Sequence, residues 1–292
     1  MTEITVIQGR TLAHADIVWI RRLIAEHPQW HRNRLSQELC QVWDWCDTLG
    51  RPKDMAARTL LLKLHRREII QLPEPRHGAH PRQREIVPVA HETVPITGRL
   101  REILPVSVSV VGRKTDEGRL FDHFLSRYHY LGYRHTVGEN IRYLVRDRYG
   151  RPLGCLLFGS AAWKCADRDG FLGWDRATRE RNLQSLTNNT RFLILPWVEV
   201  PHLASHLLGL ISRRIRADWL VKYGHPVHAL ETFVDRSRFK GSCYRAANWL
   251  WLGATRGRTR NDHAHRIQAP VKDVYLYPLV KGFREALCHD HA

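Results

Sequence analysis

The stretch ETFVDRSRFKGSCYRAANWLWLGATRGRTR, from Glu231 to Arg260, holds the residue types best able to do chemistry. Glu231 and Asp235 are two acids in an apolar run. A carboxylate inside HALETFV is costly to bury unless it is paired, protonated or bound to a metal. Two readings stay open. Paired with arginine, the acids are structural. As oxygen donors they are candidate catalytic residues and ligands for Mg2+ or Mn2+, suited to phosphodiester cleavage. In a strand the two side chains share a face but sit about 13 Å apart, at about 3.3 Å per residue. They approach only if the strand ends near Val234 and the chain bends. Asp122, Asp167, Asp169 and Asp175 are further acids that could complete a metal site. Tyr244 and Lys272 are candidate acid or electrostatic groups. Tyr244 reads equally well as core, on a helix face with Ala247 and Trp251, and Lys272 as a surface pair with Asp273. Asn188, Asn189 and Arg191 enter a buried strand and either cap an adjoining helix or hold a ligand.

The same stretch is strongly basic. From Arg236 to Lys272 there are nine Lys and Arg (Arg236, Arg238, Lys240, Arg245, Arg256, Arg258, Arg260, Arg266, Lys272) against one acid, Asp262. A solvated charge run normally mixes both signs. The glycine-punctuated GATRGRTRND reads as a loop suited to phosphate contacts. His263 and His265 stand in a His-Ala-His pattern upstream of Tyr275 and Tyr277, a short spacing that chance alone supplies in a chain with 18 His. Over all 292 residues the net charge is +17 and the pI 10.1. Such an excess favours a polyanionic partner through long-range attraction and counterion release, and nucleic acid is the expected one.

Other classes are less favoured. No segment approaches the roughly 20 apolar residues of a membrane span. MTEITVIQGR lacks a basic region followed by an apolar core, so no leader is expected. The six cysteines include no C-x-x-C pair and read as reduced thiols of a cytoplasmic protein.

Three elements must position a first domain, residues 1–75. Apolar spacing predicts helices over ADIVWIRRLIAEHP, NRLSQELCQVWDW and KDMAARTLLLKLHRR, the last with Asp54 as N-cap and Ala57, Leu60, Leu61 and Leu64 inward. A short extended piece, Ile69 to Leu72, follows. Three helices and a strand make the order of a winged helix-turn-helix, whose third helix enters the major groove. Arg51, Lys53, Arg58, Lys63 and Arg66 are then the DNA-facing cations. Residues 76–106, rich in Pro and His, read as a linker or strap.

The second domain, residues 107–292, reads as helix (LFDHFLSRYHYLGY), hairpin around Asp147 to Gly150, strand (RFLILPWV), long helix (HLASHLLGLISRRIRADWLVKYG), strand (PVHALETFVD), helix (GSCYRAANWLWLG, stopping at Gly253) and strand (DVYLYPLV). That is an α+β fold, a mixed sheet flanked by helices.

Several long motifs carry a family likeness: YHYLGY, NNTRFLILPWVEVPHLASHLL, ETFVDRSRFKGSCYRAANWLWLGATRGR and KDVYLYPL. They resemble the DruA family, named for the Druantia anti-phage system, with relatives in defence islands and mobile elements, some of them transposase-like. The resemblance implies a prokaryotic, DNA-directed role beside other defence or transposition proteins, either as an enzyme on DNA or as a non-catalytic sensing subunit. The order of the second domain also resembles the GNAT acetyltransferase fold. There a glycine-bearing loop at a helix N-terminus gives backbone N–H groups to acyl-CoA phosphates. The equivalent segment here carries Glu199, Pro201 and His202. Pro201 lacks the donor and Glu199 repels phosphate, so acyl-CoA is not expected.

Overall fold

The computed structural model describes residues 5–7, 10–47, 50–74, 86–257 and 269–288. The chain divides into two compact units, residues 1–83 and 84–292.

In the first unit, β1 (Thr5–Ile7) pairs antiparallel with β2 (Arg10–Leu12). Then come α1 (His14–Glu26), α2 (Arg32–Val42) and α3 (Asp54–Arg66). The apolar faces meet in one core: Ile20 and Leu23 from α1, Leu35 and Leu39 from α2, Ala57, Leu60, Leu61 and Leu64 from α3. The helices stand where their periodicity places them, with two differences. Lys53 is the N-cap of α3, and Asp54 lies inside the first turn, paired with Arg58. Trp43 and Trp45 follow α2 instead of belonging to it; the ring of Trp43 sits 5.9 Å from that of Trp19. The expected wing is not seen: residues 67–74 form turns and extended chain with no named strand, and β1–β2 precedes α1. The Ile69–Leu72 piece packs its apolar side chains on the helices and pairs with no strand among the described residues.

The second unit opens with β3 (Ile96–Thr97) and α4 (Leu100–Ile103). It continues with β4 (Ser107–Val110), α5 (Asp116–Tyr128), β5 (Ile141–Arg146) and β6 (Pro152–Ser160). After α6 (Ala166–Leu172) and α7 (Arg176–Asn182) come β7 (Leu186–Ile194), β8 (Val198–Glu199) and the long α8 (Leu203–Tyr223). The last elements are β9 (Ala229–Asp235), α9 (Ser242–Ala246), β10 (Leu250–Ala254), β11 (Lys272–Pro278) and α10 (Phe283–Cys288). Seven strands form one mixed sheet in the order β10-β11-β9-β7-β6-β5-β4, while β3 pairs separately with β8. The chain is thus mixed α+β, a multi-strand sheet flanked by helices.

Strand alternation divides β9 between two cores. Leu230 and Val234 face the core that holds Leu207, Leu208, Ile211 and Ile215 of α8 and Phe121 and Phe124 of α5. Ala229 faces the other, with Leu172 of α6, Leu276 of β11 and Leu287 of α10. Each fully buried side chain of this kind stabilises by about 1.5–3 kcal/mol. The helix expected over GSCYRAANWLWLG stops at Ala246. Asn248 takes a left-handed backbone (φ 62°), and WLGA continues as the edge strand β10. The strand bulges at Leu252, and the next residue, Gly253, lies against Asp167. All six cysteines are free thiols. No helix among the described residues is long and apolar enough to cross a membrane.

Candidate anion-binding cleft

Strands β7 and β9 run parallel but pair over three positions only: Leu186 with Ala229, Thr187 with Leu230, Asn188 with Glu231. Both continue, β7 to Ile194 and β9 to Asp235, so beyond Asn188 they part. A cleft of 860 Å3 opens between them. The bulge in β7, where Leu157 pairs with Arg191 and Phe158 with Asn189, marks the start of this divergence. At the fork, Tyr244 Oη donates to Asn189 Oδ1 (2.7 Å) and Thr232 Oγ1 donates to the Asn189 carbonyl (3.1 Å). Burial pushes the Tyr244 phenol well above its usual range, so it stays protonated as the donor. Residues Tyr128 to Leu131 and Phe239 to Tyr244 complete the walls.

The charges on the cleft are uneven. Arg191, Lys240 and Lys272 line it, and among the described residues Asp235 is the one lining acid. Arg191 donates to the carbonyls of Gly132 (3.1 Å) and Thr190 (2.7 Å). Among the described residues none of the three cations has a carboxylate within ion-pair distance. Asp235 accepts from the Ser237 hydroxyl (2.7 Å) and amide (3.0 Å), which hold its carboxyl below the usual range. His129 accepts the Leu131 amide at Nδ1 (3.2 Å), so its proton lies on Nε2. Burial, with Arg191 adding to it, pushes its pKa down to about 4. Asn188 keeps Oδ1 buried with no hydrogen-bond partner among the described residues.

The structure separates Glu231 from Asp235. Strand β9 runs straight through both, so the bend that would bring them together is absent and extended geometry keeps them about 13 Å apart. Glu231 is fully buried, accepting from Arg168 Nη1 (2.9 Å) and the Ala162 amide (2.6 Å). Burial pushes its carboxyl up and Arg168 opposes that. Arg168 is also fully buried; it donates to Asp169 as well, and Asp169 accepts from Arg179. Arg168 and Asp169 of α6 therefore belong to a buried charge network with Glu231 and Arg179, while Asp167 beside them is half-buried. Asp122 pairs with Arg142, Asp167 lies against Gly253, and Asp175 caps α7 through the Thr178 amide (2.7 Å). Among the described residues no group of three or more His, Cys, Asp and Glu side chains could hold a metal ion.

The predicted phosphate contacts fall in three places. Lys240 and Lys272 line the cleft. Lys272 does not pair with Asp273, whose Oδ1 accepts instead from Arg236 (2.6 Å) and Trp251 Nε1 (2.7 Å). Arg238 stacks over the Tyr130 ring at 5.1 Å, Arg245 donates to Tyr275 Oη (3.0 Å), and Arg256 is exposed. Arg258, Arg260, His263 and His265 lie outside the described residues. In the first unit Lys53, Lys63 and Arg66 are exposed on or beside α3, Arg51 pairs with Asp47, and Arg58 is tied to Asp54. No motif or spacing points to Tyr130, His129 and Phe239, which the structure brings to the cleft. The polar run Asn188, Asn189 and Arg191 in a buried strand was the available signal.

The first turn of α8 reaches the cleft through Ala204. His202 takes the left-handed turn (φ 66°) that a glycine would supply, and Glu199 and Pro201 are exposed beside it.

Solved structures with partial likeness are acyltransferases. A spermidine/spermine N-acetyltransferase from Vibrio cholerae with manganese ions is 10% identical over 62% of this chain and 96% of its own, with TM-score 0.39. The spermidine N-acetyltransferase of Vibrio cholerae with CoA and spermine is 9% identical over 59% of this chain and 92% of its own (TM-score 0.38). A putative acyl-CoA N-acyltransferase from Klebsiella pneumoniae is 12% identical over 60% and 99% (TM-score 0.35). No curated protein matches the chain. The family model described as Druantia protein DruA matches residues 63–268, well over half of the sequence, and by that match the chain belongs to the DruA family.

Proposed function

We propose that this protein binds DNA as a component of anti-phage defence, holding phosphates on the cations of the β7–β9 cleft and on the basic chain from Arg236 to Lys272. The observation that carries the reading is the set Arg191, Lys240 and Lys272 around one cleft with a single lining acid. An excess of positive charge around one cleft favours an anionic ligand there. The family and the net charge of +17 favour DNA as the anion. Metal-dependent cleavage at Glu231 and Asp235 finds no support in this geometry, because Arg168 and the Ala162 amide occupy Glu231. The reading is of a binding subunit, acting with other defence proteins, with Arg51, Lys53, Lys63 and Arg66 of the first unit as secondary phosphate contacts.

The test is equilibrium binding of labelled DNA over a range of KCl. Affinity is expected to fall linearly on a log–log plot, each phosphate contact contributing a slope of about 0.7 to 0.9. The Arg191→Ala/Lys240→Ala/Lys272→Ala variant is expected to flatten that slope by roughly 2. Absence of salt-dependent binding by the wild type overturns the reading.

A further inference from the structure

The cleft holds more than charge. Phe239 stands at its wall with 49% of its surface exposed. Its one ring neighbour among the described residues is Tyr130, met edge-on at 5.3 Å and 63°. Tyr130 is itself fixed by Arg238 above its ring and by His129 beside it. Phe239 is therefore a platform with an open face, backed by a braced tyrosine. Asn188 adds a buried acceptor that no described residue satisfies. A buried acceptor without a donor carries a desolvation cost until a ligand supplies one. The diverging edges of β7 and β9 also leave backbone polar groups without a strand partner.

We infer that the cleft takes an unpaired nucleotide of single-stranded DNA, its base on the open face of Phe239, its phosphate on Arg191, Lys240 and Lys272. Three chemical features agree on this ligand. Cations interleaved with aromatic rings form the usual surface for single strands, where any base offers a π-face. The Asn188 acceptor needs an N–H, and base N–H groups on the pairing edge are free only when the base is unpaired. The 860 Å3 volume falls in the range of small-ligand clefts, and a stacked, paired duplex would have to surrender a base to enter it. His129, neutral near pH 7 with its proton on Nε2, supplies a donor for a base carbonyl without adding charge.

This rests on the DNA-binding reading above, and the experiment separates the two. The full-length protein is titrated into a short single strand carrying one 2-aminopurine, and into the same strand annealed to its complement, at fixed salt. The single strand is expected to bind roughly tenfold or more tighter, with a change in 2-aminopurine fluorescence that the duplex does not show. Phe239→Ala is expected to weaken single-strand binding about tenfold, leave duplex affinity and the salt slope unchanged, and remove the fluorescence change. Because Phe239 is half-exposed, its thermal unfolding is expected to match the wild type, and Phe239→Trp is expected to restore binding. Equal affinity for single strand and duplex, or a Phe239→Ala variant that binds as the wild type does, overturns the inference and leaves DNA binding standing. Binding of neither form overturns both. Displacement of bound strand by acetyl-CoA, with no loss on Phe239→Ala, assigns the cleft to acyl-CoA and also overturns it.

Discussion

The Glu231–Arg168 pair shows how one residue can look catalytic and be structural. Both side chains are fully buried, and each satisfies the other together with the Ala162 backbone. Removing one partner strands a buried charge, so Arg168→Ala is expected to lose about 3–5 kcal/mol in urea unfolding. A cleft role for Glu231 would instead show as altered DNA binding in a still-stable Glu231→Gln. His129 gives a pH signature. Its pKa falls from 6.5 to about 4 on folding. Between those values the unfolded chain binds a proton that the folded chain does not, so this contribution is complete above about 6.5 and declines as pH drops toward 4. His129→Asn, which keeps an acceptor for the Leu131 amide, is expected to show a shallower loss of stability between pH 6.5 and 4.5 than the wild type. The sequence made the need for a Glu231 partner legible, since an acid in an apolar strand must be neutralised. It could not name Arg168, which lies 63 residues away between two aspartates that look solvated.

Among the elements, those with strong periodicity were readable: α1, α3, α8, the β5–β6 hairpin, β9 and β11 stand where the apolar spacing puts them. The failures have local causes. The apolar residues of WLWLG continue the α9 pattern and so predict helix up to Gly253; Asn248 ends that pattern by a backbone conformation that no side-chain spacing announces. The wing is not shown, because the extended residues Ile69 to Leu72 have no strand partner among the described residues. The cleft was illegible for a related reason, since it arises from where β7 and β9 stop pairing, a property of two strands and not of either sequence. The turn that closes the cleft depends on Gly241, N-cap of α9, with φ 66°. A Cβ there would lie 2.5 Å from Tyr275 Oη. Gly241→Ala is expected to cost more than about 1 kcal/mol and to weaken single-strand binding, because α9 carries Tyr244 and the turn carries Phe239 and Lys240.

At the scale of the molecule, each unit has a core of its own: the three-helix core lies within residues 1–83, and the two cores flanking the large sheet lie within residues 84–292. The cleft and its cations belong to the second unit. Residues 84–292 expressed alone are therefore expected to unfold cooperatively and to retain the single-strand preference; a fragment that folds but binds strand and duplex alike would make the first unit part of the discrimination. The sheet itself has a mechanical side. It consists of two plates, a meander of β4 to β7 and a trio of β9, β11 and β10, welded along three residue pairs. A plate joined at so short a seam can rock about it, and whatever fills the gap beyond Asn188 acts as a wedge that fixes the angle. Occupancy of the cleft would then be communicated as stiffness: α8, whose apolar face also covers β9, and α9, which packs against α8, would be held at one angle between the plates.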